Sequence, residues 1–108
     1  MKRYLITRDD EGVRAAVVID GESFDLDPRY DLRKHSPTGF EFGYEGSGPA
    51  QLALALVADA LDNDDRALRC YQGFKRRVVA QFSRDVLEHE LTVEQVHDDV
   101  LRHSGGDA

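Results

Sequence analysis

Apolar residues along this chain fall into two regimes. In the N-terminal half they come in short runs broken by turn residues. In the C-terminal half they recur at helical spacing. Lys2 to Thr7 carries Tyr4, Leu5 and Ile6, and Val13 to Ile19 carries Val17, Val18 and Ile19. Asp9-Asp10-Glu11-Gly12 between them is a turn signal, so the two runs predict a hairpin. Asp20-Gly21 is a second tight-turn dipeptide. Phe24 and Leu26 then alternate with Ser23 and Asp25, which predicts a short third strand. Asp27 to Thr38, with Pro28 and His35-Ser36-Pro37, reads as a loop. Phe40, Phe42 and Tyr44 alternate with Glu41 and Gly43. That period of two predicts a fourth short strand with an aromatic face.

Gly46-Ser47-Gly48-Pro49 ends this strand, and Pro49 suits the first position of a helix. From Ala50 to Leu61 only Gln51 and Asp59 interrupt an Ala- and Leu-rich run. A helix apolar nearly all round is a buried one. Asn63 and Asp64 separate it from a longer predicted helix, about Asp65 to Glu88. There Ala67, Leu68, Tyr71, Phe74, Val78 and Phe82 form the core face, and Gly73 falls opposite. The last helix opens on Thr92 as N-cap with Gln95 three residues on, a capping box, and Leu91 and Val96 stand at staple positions. Val93, Val96 and Val100 are its buried stripe. The fold class is therefore α+β. A small antiparallel sheet of three to four strands from the N-terminal half packs on two to three helices from the C-terminal half. Residues 1–103 form one domain and 104–108 a frayed, disordered tail. Phe40 or Phe42 with Leu52, Leu56, Phe74 and Val78 should form the core, the helix from Pro49 lying between the sheet and the long helix.

The 108 residues suit a single domain, and the one cysteine, Cys70, excludes an internal disulfide. With no signal segment and no run long enough to span a bilayer, the expectation is a soluble, cytoplasmic protein without membrane contact. The net charge is −7. Its make-up matters more than its size: Asp outnumbers Glu 14 to 7, and Arg outnumbers Lys 11 to 3. Short, strongly hydrated carboxylates with few lysine stems suit a potassium-rich, salt-loving cytoplasm. Near 1 M salt the Debye length falls to about 3 Å, so the acidity then says little about partners.

Two features could carry binding. The first is Gly46-Ser47-Gly48 at a helix start, where free N–H groups and the helix dipole can hold an anion. No Lys-Ser or Lys-Thr follows, as a P-loop requires, and the glycine spacing is not a dinucleotide fingerprint. Ser47 also lacks the nucleophile-elbow spacing. The simpler reading is a well-made helix start, with Ser47 or Gly48 as N-cap. The second is an arginine stripe. At about 100° per residue, Arg66, Arg69, Arg76, Arg77 and Arg84 lie on one side of the long helix, around Gly73 and Ala80. They could grip phosphate or an acidic partner. The simpler reading is local pairing of Asp62 with Arg66, Asp65 with Arg69, and Glu88 with Arg84, which leaves Arg76 and Arg77 free. No metal site is expected. Glu94 and His97 make only half of a di-iron motif, and His89, His97 and His103 lack zinc spacing. No catalytic constellation or cofactor motif appears either. Cys70 has no base beside it, and Glu41 and Glu45 are ordinary in so acidic a chain.

The run from His35-Ser36-Pro37-Thr38-Gly39-Phe40 through Glu41-Phe42-Gly43-Tyr44-Glu45-Gly46-Ser47-Gly48-Pro49 to Ala50-Gln51-Leu52-Ala53-Leu54-Ala55-Leu56 resembles the signature of a family. Its members are short prokaryotic, including haloarchaeal, and phage proteins of unknown function. The resemblance continues through Tyr71-Gln72-Gly73-Phe74-Lys75 to about Leu91-Thr92. Relatives often carry tryptophan at position 42 and glycine at position 45. The Glu45 carboxylate here would repel an anion at the bend. The resemblance implies a shared fold and names no activity. The leading expectation is a non-enzymatic binding or regulatory module with a protein partner, using the arginine face and the Gly-Ser-Gly bend. The alternative is an enzyme or sensor for a phosphorylated small molecule at the bend. Nucleic acid ranks last, because no base-stacking aromatic accompanies the arginines.

Overall fold

The computed structural model describes residues 1–103. The tail predicted over 104–108 lies outside the described residues. The two N-terminal runs form β1 (Lys2–Asp9) and β2 (Gly12–Ile19), antiparallel across the Asp10-Glu11 turn. Asp9 shapes that turn: its Oδ1 accepts from the Glu11 N–H at 2.8 Å. β3 (Glu22–Asp25) follows the Asp20-Gly21 turn. Both turn residues have positive φ, 51° and 88°, which matches the twist of a two-residue hairpin.

The fourth strand is not the one the aromatic alternation predicts. Around Phe40, Phe42 and Tyr44 the chain makes only one bridge, Val13 to Phe40, and otherwise runs as loop. β4 is Glu88–Thr92, which pairs antiparallel with β1 and gives the order β3-β2-β1-β4. The three aromatics do not share one buried face. Phe42 is fully buried, while Tyr44 is exposed.

α1 (Ser47–Leu61) is buried along almost its whole length. The Tyr4 hydroxyl donates to Asp59 at 2.7 Å, joining β1 to α1. α2 (Asp64–Arg77) starts at the Asn63 cap, whose side chain accepts from the Arg66 N–H. It ends eleven residues short of the predicted Glu88. The chain leaves it through a 3-10 turn, Val79–Gln81, and a second turn, closed by the Val86 N–H on the Ser83 carbonyl, that leads into β4. Three β-branched or aromatic residues close to one another, Val78, Val79 and Phe82, weaken helix propensity here. Tertiary packing then prevails, because Phe82 turns inward onto Phe42 and His89.

α3 (Val93–Arg102) carries the predicted capping box in full. Thr92 Oγ1 accepts from the Gln95 N–H, and Gln95 Oε1 accepts from the Thr92 N–H. The core unites Tyr4, Ile6, Phe42, Leu52, Leu56 and Phe74 with Val96 and Val100, while Phe40, Val78 and Val93 are only partly buried. No helix is long and apolar enough to cross a membrane, among the described residues.

Candidate functional site

Two polar residues draw the loop that precedes α1 onto the helices, Gln51 on α1 and Tyr71 on α2. A polar side chain inside an apolar helix must find partners. Gln51 is fully buried and finds four. Its Oε1 accepts from the N–H groups of His35 (2.7 Å) and Ser36 (3.1 Å). Its Nε2 donates to the carbonyls of Pro28 (2.6 Å) and Arg33 (3.0 Å). Gln51 thus pins the 28–36 loop to α1. The sequence reading treats Gln51 as a mere interruption; its isolation in a buried helix was the available signal.

The pinned loop lies along α2. The Arg29 guanidinium bridges Asp31 and Asp64, and the His35 ring meets the Tyr71 hydroxyl at 2.6 Å. Gln72 donates to the same hydroxyl at 3.2 Å, and Lys75 pairs with Glu45 of the bend at 3.4 Å. Burial, with help from the Arg33 and Lys75 charges, holds the His35 pKa below the usual imidazole value.

The predicted arginine stripe is divided. Arg77 is engaged by Asp99 of α3, with contacts at 2.6 and 3.1 Å. Arg84 lies beyond the end of α2 and stacks over the Tyr44 ring at 5.1 Å. Gly73 and Ala80, expected on an open face, are both buried. Arg69 and Arg76 are exposed on α2, and Arg66 is half-buried. None of the three local pairs with Asp62, Asp65 or Glu88 forms among the described residues. Lys2, Arg3, Arg8, Arg14, Arg29, Lys75, Arg77 and Arg102 all have carboxylate partners. Lys34 and Arg84 lie over tyrosine rings. Arg33, Arg66, Arg69 and Arg76 are left with no ion pair among the described residues.

The Gly46-Ser47-Gly48 bend is a helix start built by side-chain crowding. The N-cap is Gly46, not Ser47 or Gly48, and α1 begins at Ser47, so Pro49 is its third residue. A Cβ on Gly48 would come 2.6 Å from the Glu41 Cβ, and one on Gly46 would come 2.7 Å from the Tyr44 ring. Gly43 has φ +88° and sits against Arg84 and the Phe82 carbonyl. These glycines make room for the protein's own atoms. Ser47 is exposed. Glu41 is drawn toward Arg8 (2.9 Å), whose guanidinium covers the Phe42 ring at 4.5 Å.

The remaining candidates have structural partners. Cys70 is buried, with its thiol toward the Arg66 carbonyl. His97 is no surface histidine: its Nε2–H donates to the Ala60 carbonyl at 2.8 Å and helps close α1. His89 stacks on Phe82 at 4.3 Å.

A family model described as a family of unknown function (DUF6166) matches residues 4–103. No curated protein and no solved structure matches the chain.

Proposed function

We propose that this chain, which belongs to the family of unknown function DUF6166, is a non-enzymatic binding module whose α2 face captures an acidic segment of a protein partner. One observation carries this reading. In a chain with 21 acidic residues, Arg66, Arg69 and Arg76 stand on one helix without an ion pair among the described residues. Arg33 does so on the loop strapped beside it. Guanidinium groups left unpaired amid excess carboxylate are available for a partner's carboxylates, and their planar forks favour bidentate contact. The host we propose for the module is a salt-rich prokaryotic or phage-infected cytoplasm. There short-range, directional contacts of this kind outlast long-range steering.

The alternative, a phosphorylated small molecule at Gly46 to Gly48, has less to support it. The Gly48 approach is filled by Glu41, and Glu45 adds a second carboxylate at the same bend. Nucleic acid is disfavoured because phosphate contacts weaken steeply in a salt-rich host.

The test is charge reversal at the two exposed arginines, R69E/R76E. Arg77 is unsuitable, because its loss would strand Asp99. Capture from extract of the source cells is compared for the wild type and the variant, both checked for an unchanged thermal melt. The expected outcome is loss of a protein recovered stoichiometrically by the wild type. An identical set of recovered proteins would remove the α2 face from consideration.

A further inference from the structure

β3 presents an open sheet edge. In the β2–β3 hairpin the two-residue turn makes Ile19–Glu22 a hydrogen-bonded pair, and alternation makes Val17–Phe24 the next. The Leu26 N–H to Ala15 carbonyl bond, 3.0 Å, continues the series. The backbone groups of Ser23 and Asp25 therefore point away from β2, and β3 is the last strand of the sheet. All four of its residues are exposed, and Phe24 keeps 51% of its surface in water.

A groove opens where β3 ends. Past Leu26 the chain departs from β2, and Phe40 bridges β2 at Val13. The gap is a groove of about 330 Å³, walled by Val13, Leu26, Pro28, Tyr30 and Phe40, and lined also by Asp25 and by Arg14, whose charge is paired with Asp9. Its size is at the small end of ligand pockets, and its lining is mainly apolar.

Sign of charge selects the occupant. Asp20, Glu22, Asp25 and Asp27 all lie on or beside this edge, and β3 has no basic residue. A second copy of the chain would bring the same carboxylates against these. Exposed edges are commonly protected from self-pairing in this way. A strand carrying lysine or arginine meets complementary charge. We propose that the β3 edge receives an extended, basic peptide segment of a partner protein as a fifth strand. Ser23 and Asp25 supply its main-chain hydrogen bonds, Phe24 is covered by it, and one apolar side chain enters the groove. Main-chain bonding with a side-chain pocket is the usual division of labour in strand addition. β3 and α2 are distinct elements, joined only through the loop that carries Pro28, Tyr30 and Arg33, and either proposal could hold without the other.

The experiment titrates the chain with a short peptide alternating lysine and valine, and with its glutamate–valine counterpart. Amide shifts and hydrogen exchange are read at Ser23, Phe24 and Asp25. The expected result is saturable shifts with slowed exchange at Ser23 and Asp25 for the basic peptide only. Ser23→Pro removes an N–H that bonds nothing within the sheet, so it should weaken binding about tenfold while the fold stays intact. If Ser23→Pro does not fold, E22K/D25K gives the same weakening with the backbone unchanged. Equal binding of both peptides, absence of protection at Ser23 and Asp25, or binding indifferent to both variants would overturn the proposal. So would a homodimer in sedimentation that Ser23→Pro dissolves, since the edge would then belong to a second copy.

Discussion

His35 shows how one residue joins local sequence to the surface chemistry. Its backbone N–H is held by Gln51, and its half-buried ring is held by the Tyr71 hydroxyl. Burial is the larger cause of its lowered pKa, and Arg33 and Lys75 add repulsion. The unfolded chain has no such surroundings and binds a proton near pH 6.5. Stability is therefore complete above about pH 6.5 and declines as pH falls from there toward the folded pKa, below which this contribution is lost. An NMR titration should give His35 a pKa below the ordinary value, and H35Q should flatten that part of the stability profile. A His35 pKa at or above the ordinary value would contradict the account. Tyr4 is perturbed in the opposite sense. Burial, then its bond to Asp59, raises its pKa, so it remains a donor throughout the working range.

At the scale of elements, the α1 start and the α2 end decide the shape of the segment around Phe42. Gly46 and Gly48 both precede or open α1, yet they differ in what crowds them. At Gly46 the obstacle is the Tyr44 ring, which is exposed and can rotate aside. At Gly48 it is the Glu41 Cβ, fixed to its backbone, with the Glu41 amide N only 3.3 Å away. Crowding of that kind costs about 1–3 kcal/mol. Urea unfolding should show Gly48→Ala destabilised by about that amount and Gly46→Ala by less. A Gly48→Ala protein as stable as wild type would mean that the Glu41 segment yields. The end of α2 carries the other lesson. Had the helix run on to Glu88, Arg84 would join the stripe and β1 would lack β4. Instead Val78 to Phe82 leave the helix, and Phe82 and His89 close over Phe42.

For the molecule as a whole, charge is distributed with a purpose that the total conceals. A net charge of −7 opposes compaction by self-repulsion. Salt also weakens favourable exposed pairs, such as Arg3 with Glu90 and Arg102 with Asp98. Single exposed pairs contribute little, commonly below about 1 kcal/mol, so relief of repulsion dominates. Raising potassium chloride from about 0.1 M to about 2 M, across which the Debye length contracts several-fold, should raise the Tm. A flat or falling Tm would remove the halophilic reading of the composition. Against this acidic background α2 is locally basic and the β3 edge locally acidic, so the two faces would select partners of opposite charge.

Much of this architecture was legible from local rules. The β1–β2 and β2–β3 hairpins, the buried α1, the core face of α2 and the capping box of α3 depend on turn chemistry, periodicity and caps. Each of these acts within a few residues. Three things were decided only by the tertiary structure. Phe40 to Tyr44 alternate like a strand but find no continuous partner edge, whereas Glu88 to Thr92 do, beside β1. The arginines share a helical face by arithmetic, but Asp99 engages Arg77, and the early end of α2 removes Arg84. Gln51, His35 and Tyr71 are far apart in sequence, and their hydrogen bonds exist only once α1, α2 and the loop are packed. The sequence by itself determined the two hairpins, the buried α1, the start of α2 and the capped α3, because those follow from local conformational preference and apolar spacing. Tertiary structure decided which strand completes the sheet and which cations stay unpaired, because both depend on neighbours brought together only by the finished core.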